Sequence, residues 1–142
     1  MAGTSGLPNW VARNIACLLE AARPNGCWVY LGEMRLRVGD EAVYYPGVMA
    51  VCQPGPPHPC YEEGPCAGVE VLAPTAEAQD PREKGALCET LESLEVYLLV
   101  DLEGRCFTLY HRTPEGFLEE EGEEAPIPCL DIVLKAEEVF RL

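Results

Sequence analysis

Glu70 and Lys84 are the two residues whose types and spacing best fit chemistry. Glu70 interrupts the apolar run Val69, Val71 and Leu72, whose β-branched and aliphatic character predicts a strand buried on both faces. A carboxylate in such a strand must be paired, metal-bound or neutralised, because burying an isolated charge costs roughly several kcal/mol. After a short loop, Asp80, Pro81 and Glu83 have the pattern of a helix start: an N-capping acid, proline at the first helical position and glutamate at the third. Lys84 then sits one turn inside that helix. A strand carboxylate followed by a lysine suits phosphodiester chemistry, with the acid holding a divalent cation and the amine steadying charge on phosphate or water. A Glu70–Lys84 ion pair without chemistry is the alternative reading of the same residues.

The elements around this pair read as scaffold. Leu7, Val11, Ile15, Leu18, Leu19 and Ala22 recur at helical spacing, and Arg23-Pro24-Asn25-Gly26 ends that helix. Residues 27–31 predict a strand and 34–38 an alternating, half-exposed one, with Arg35 and Arg37 on its polar face. Residues 42–52 are apolar, but Pro46-Gly47 in their middle requires a bulge, an edge or a close approach. Residues 53–65 carry five prolines and predict a loop. The helix begun at Asp80 continues to about Ser93 through Leu87, Leu91 and Leu94. Residues 96–100 then predict a buried strand, residues 106–112 its hairpin partner, residues 127–134 a further apolar segment and residues 136–142 a short helix or strand. Helix, strands, helix, strands is the order of a mixed α/β sheet with helices packed on it.

At 142 residues, 48% of them hydrophobic, one domain with a real core is expected. No apolar run reaches the roughly 20 residues of a membrane span, and the start lacks the pattern of a signal peptide, so a cytoplasmic protein is expected. The net charge is −14, and residues 113–142 carry half of it, nine acids against Lys135 and Arg141. The run at Glu119, Glu120, Glu121, Glu123 and Glu124 reads as a solvated strand or loop, with an interaction tail as the alternative. Such a chain lacks the basic footprint of a strong nucleic-acid binder. The eight cysteines are spread almost evenly, unlike a secreted disulfide framework. Cys52, Cys60 and Cys66 with His58 form a local cluster open to zinc or to a disulfide pinning the proline-rich loop.

Three stretches carry a family resemblance: Tyr44-Tyr45-Pro46-Gly47-Val48-Met49-Ala50-Val51-Cys52, then Val69-Glu70-Val71-Leu72-Ala73-Pro74-Thr75-Ala76-Glu77 with Asp80 to Lys84, and Ser93-Leu94-Glu95-Val96-Tyr97-Leu98-Leu99-Val100-Asp101. In this order they resemble the Uma-two type of restriction endonucleases, within the PD-(D/E)xK nuclease superfamily. The resemblance runs from about residue 3 to the C-terminus. It implies a restriction-endonuclease-like mixed β-sheet flanked by helices and metal-dependent DNA cleavage with Mg2+. It also implies Glu70 as the metal-binding and catalytic carboxylate and Lys84 as the catalytic lysine. Two departures stand out. By this resemblance Gly47 occupies the place of the family's second metal-binding aspartate, and the chain, expected to be one domain over residues 1–142, is expected to lack the family's usual N-terminal segment. A hard cation on one carboxylate is weakly held, so weak or lost cleavage is expected unless Glu62, Glu63 or Glu77 replaces the missing ligand. The alternative expectation is a non-catalytic homodimer on the nuclease fold. No membrane partner is expected.

Overall fold

The structure is a computed structural model, and it describes residues 6–32, 36–38, 42–44, 46–52, 62–72 and 90–141. Helix α1 (Gly6–Ala22) forms where the apolar spacing predicts, burying Val11, Ile15 and Leu19. Pro24 and the left-handed Gly26 stop it. Among the described residues ten strands follow: β1 (Trp28–Leu31), β2 (Leu36–Val38), β3 (Ala42–Tyr44), β4 (Val48–Val51), β5 (Pro65–Leu72), β6 (Val96–Asp101), β7 (Cys106–Thr113), β8 (Gly116–Gly122), β9 (Glu124–Ile127) and β10 (Ile132–Lys135). A 3-10 turn (Pro128–Leu130) separates the last two, and the short helix α2 (Ala136–Val139) ends the described chain. Among the described residues no helix is long and apolar enough to cross a membrane.

Six strands form one sheet in the order β1-β4-β5-β6-β7-β8. The β5–β6 pair is parallel and the other neighbours are antiparallel, so the sheet is mixed as expected. Strands β2 and β3 make a hairpin, as do β9 and β10. A parallel pair needs a crossover, and its sequence is residues 73–95, where a helix is predicted; only its end is described, with Thr90 helical. Glu119, Glu120 and Glu121 of the acidic run lie in β8 and Glu124 opens β9, so the run is solvated strand rather than a tail.

Each sheet face carries its own core. On one, α1, the β9–β10 hairpin and α2 bury Val48, Ala50, Ala67, Val69, Leu98, Val100 and Phe107. On the other, Leu36 of β2 and the residues Leu91 and Leu94 pack on Met49, Val51 and Tyr97. Strand alternation divides β4 and β5 between the two layers, Val69 in the first core and Gly68 and Glu70 facing the second. The strand reading of residues 69–72 is corrected in one respect: the start of β5 is buried, but Glu70, Val71 and Leu72 are half-buried. The strand end rises out of the core, and a carboxylate there keeps contact with water.

Candidate functional site

The pairing register places Glu70 between a bare glycine and Leu99. Val48 pairs with Val69 and Leu31 with Val48, so the next row across the sheet runs Gly32, Gly47, Glu70, Leu99, Thr108 and Glu121. The Gly32 amide donates to the Gly47 carbonyl at 2.8 Å, which extends the ladder by one bond beyond the named strands. Pro46-Gly47 is therefore the entry to β4 rather than a break inside a strand. This resolves the conflict between Pro and Gly and an apolar segment: residues 42–44 and 48–51 are two strands, β3 and β4, with the breaker between them.

A side chain at position 47 would fall on the face of Glu70, by alternation from Met49 and Val51. Its Cβ would meet the Val69 carbonyl oxygen at 3.4 Å, an ordinary contact, so the backbone accepts a larger residue here. Gly68, one row inward, is different. A Cβ there would approach the Tyr97 ring at 3.1 and 3.2 Å, because that ring lies over the bare strand. Glycine at 68 is needed for packing, whereas glycine at 47 leaves space.

A second carboxylate lies on the same face. Glu62 is only 7% exposed, although it follows the proline-rich loop, and it accepts a hydrogen bond from the Tyr30 hydroxyl at 2.7 Å. Leu36 bridges to Glu62, and the Arg37 amide donates to its carbonyl at 2.8 Å, so the β2–β3 hairpin holds it in place. Burial, together with the hydrogen bond and charge of Glu62, pushes the Tyr30 phenol above its ordinary range, so it remains a proton donor to the carboxylate. Sequence reasoning offers Glu62 as one of three substitutes, without any sign of its burial or of Tyr30 as its partner. Glu63 lies in solvent, 3.6 Å from Arg37. Glu77, Lys84 and the predicted helix start at Asp80 lie outside the described residues. The expected convergence of Glu70 and Lys84 therefore falls outside them too.

The other face carries a separate cavity of about 490 Å³, lined by Glu95, Val96, Leu109, His111, Glu120 and Pro126 among others. His111 Nε2 is buried there without a hydrogen bond, 3.5 Å from Glu120. This cavity belongs to the α1 side of the sheet and is not the Glu70 site.

The cysteines depart from expectation. Cys52 and Cys66 do not form a local set in the proline-rich loop but bond to distant partners, Cys27–Cys52 and Cys66–Cys129. Cys27 and Cys52 flank the paired residues Trp28 and Val51, so their closeness is a consequence of strand register, which sequence spacing does not reveal. His58 and Cys60 lie outside the described residues.

Comparison with known proteins agrees with the sheet. Residues 1–136 match the profile of the Uma2 family, described as "Putative restriction endonuclease". The chain belongs to the Uma2 family. A crystal structure titled as a "putative nuclease" from Anabaena variabilis ATCC 29413 superposes with a TM-score of 0.77 at 12% identity, covering 96% of this chain and 82% of that one. At that identity the likeness shows the fold, which is the nuclease-like mixed sheet the Uma2 motifs imply. No protein of curated function matches the chain significantly.

Proposed function

We propose that this Uma2 domain is a degenerate metal-dependent DNA endonuclease, with Glu70 its remaining metal carboxylate, Lys84 its catalytic lysine and phosphodiester hydrolysis weak or lost. The observation that carries this reading is the juxtaposition of Gly47, at the entry to β4, with Glu70 of the neighbouring β5. The family's second carboxylate would stand directly beside the first, and glycine supplies no oxygen there. Mg2+ requires near-octahedral oxygen ligation, and one half-buried carboxylate with waters holds it loosely. Cleavage needs that cation where charge builds on the attacking and leaving oxygens, so loose binding removes most of the rate. Glu62 is a poor replacement, because its carboxylate is buried and already engaged by Tyr30. The chemistry of the donor set fits a divalent cation, and it fits better with aspartate restored at 47. Such an enzyme would work in the cytoplasm, where its DNA substrate lies.

The test is Mg2+ and Mn2+ affinity by calorimetry together with plasmid cleavage, for wild type, Gly47→Asp and Glu70→Ala. Gly47→Asp should bind metal about tenfold tighter or more and gain measurable nicking, since a second ligand worth about 1.4 kcal/mol gives that factor. Tight wild-type binding that survives Glu70→Ala would place the site on other residues, and efficient wild-type cleavage would show that the lost aspartate has been replaced.

A second reading, a non-catalytic homodimer, is favoured by β1. Among the described residues β1 is an edge of the six-stranded sheet, and Leu31 at its end is 50% exposed. Two-fold pairing of such edges is a common remedy for an open strand. Light scattering at micromolar concentration should then give twice the chain mass, and a monomer would dismiss this reading.

A further inference from the structure

Four cysteines from four separate parts of the chain come together at one end of the sheet. Cys27 precedes β1, Cys52 follows β4, Cys66 lies in β5 and Cys129 lies in the 3-10 turn between β9 and β10. Cys27 and Cys66 are buried in the core beneath α1, and Cys52 and Cys129 pack against it. The sulfurs of Cys52, Cys66 and Cys129 all lie within 4.8 Å of one another, and Cys27 is bonded to Cys52. Two independent disulfide staples have no reason to share one spot. Here the two bonds abut, with Cys52 Sγ 3.7 Å from Cys66 Sγ across them. A tetrahedron with zinc–sulfur bonds of about 2.3 Å has edges of about 3.8 Å, so this cross-bond distance is already that of two thiolates sharing one zinc.

We propose that these four residues form a redox-gated zinc site, holding one Zn2+ as a tetrathiolate when reduced and closing into the Cys27–Cys52 and Cys66–Cys129 disulfides when oxidised. Each disulfide takes two electrons and two protons from one equivalent of a dithiol reductant, which leaves as its own disulfide, and two equivalents free four thiols. Binding Zn2+ then releases the four thiol protons and leaves a centre of net charge −2. Three of the four sulfurs already lie within 4.8 Å of one another, and Cys27, bonded to Cys52, has to turn toward them once that bond is reduced. The disulfides tie β1 to β4 and β5 to the turn that carries the β9–β10 hairpin, whereas the zinc centre ties all four segments at one point under α1. The ligand set is distinct from the local group of Cys52, Cys60, Cys66 and His58 that the sequence suggests. It is also on the opposite sheet face from Glu70, so it stands or falls independently of the nuclease reading.

The experiment uses the full chain, reduced with a dithiol under anaerobic conditions and loaded with Zn2+ or Co2+ alone. One equivalent should survive desalting, and Co2+ should give the intense visible bands and sulfur-to-metal charge transfer of a tetrahedral tetrathiolate. Alkylation with mass spectrometry should find Cys27, Cys52, Cys66 and Cys129 protected by zinc, with Cys17 and Cys106 modified. Cys66→Ser and Cys129→Ser should each lose the retained zinc, and Cys60→Ser should keep it. Two equivalents of a small-molecule disulfide, each reduced to its two thiols by two electrons from the protein sulfurs and two protons from solvent, should expel the metal as the two protein disulfides form. Reduced wild-type protein that retains no zinc overturns the proposal, as does protection of Cys60 in place of Cys27 or Cys129. Because the alkylation pattern is read on wild type, a misfolded serine variant does not decide the result.

Discussion

Tyr30 and Glu62 show how a half-buried phenol can make a buried carboxylate tolerable. Removing the hydroxyl in Tyr30→Phe leaves an acceptor of Glu62 without its donor in a site that water hardly reaches, and such losses cost about 1–3 kcal/mol. Urea unfolding should show a loss at the lower end of that range, since Glu62 has other interactions. The pair also sets an alkaline limit. The phenol's folded pKa is raised, so its stabilisation is complete below the unfolded value of about 10 and is lost as pH climbs through that value toward the folded one. Tyr30→Phe should therefore be less stable than wild type at neutral pH, and the difference should shrink above about pH 10. A difference that is constant with pH would mean that the phenol does not titrate as a partner of Glu62. None of this was legible in the sequence, where Glu62 is one acid in a loop-like stretch. Glu70 was legible, because a charge inside an apolar strand is conspicuous, but its half-exposure depends on where β5 leaves the core.

At the scale of elements, the legible parts are those whose periodicity is local. The α1 spacing and the β6–β7 hairpin each follow from neighbours in sequence. Register is not local, and it decides the site: that Gly47 stands beside Glu70, or Cys27 beside Cys52, follows from pairing between distant segments. The parallel β5–β6 pair gives a sharp test. Tyr97 pairs with Gly68 and its ring fills the space of a missing side chain. Gly68→Ala gains about 0.4–1 kcal/mol from a stiffer unfolded chain but forces that ring, 2% exposed, out of its packing, a strain of about 1–3 kcal/mol. The net result should be a lower thermal midpoint. Gly122→Ala in β8, where a Cβ meets nothing within 4 Å, should be neutral or slightly stabilising. Equal effects of the two substitutions would show that the Tyr97 ring does not sit on Gly68.

For the whole molecule, the arrangement of charge matters more than its total of −14. Strand alternation splits the acids of β8 between the two faces. Glu119 receives a hydrogen bond from Tyr110 and Glu121 lies in the row of Glu70, whereas Glu120 sits over His111 on the other face. Strand β8 is three strands from β5, about 14 Å at the usual spacing. That exceeds the screening length of about 10 Å at 0.1 M salt but not the roughly 30 Å at 0.01 M. A DNA duplex approaching the Glu70 face should therefore meet repulsion from Glu119 and Glu121 at low salt, and much less from Glu120. In a Gly47→Asp background with Ca2+ to hold the metal site without turnover, Glu119→Gln with Glu121→Gln should tighten binding of a labelled duplex several-fold at 0.01 M salt, read by fluorescence anisotropy. The gain should fade by about 0.3 M, where screening shortens further. Glu120→Gln alone should change little beyond its share of net charge. Equal gains per charge from either face would mean that DNA feels only the total charge, and no gain from Glu119 and Glu121 would mean that it does not approach the face on which Glu70 lies.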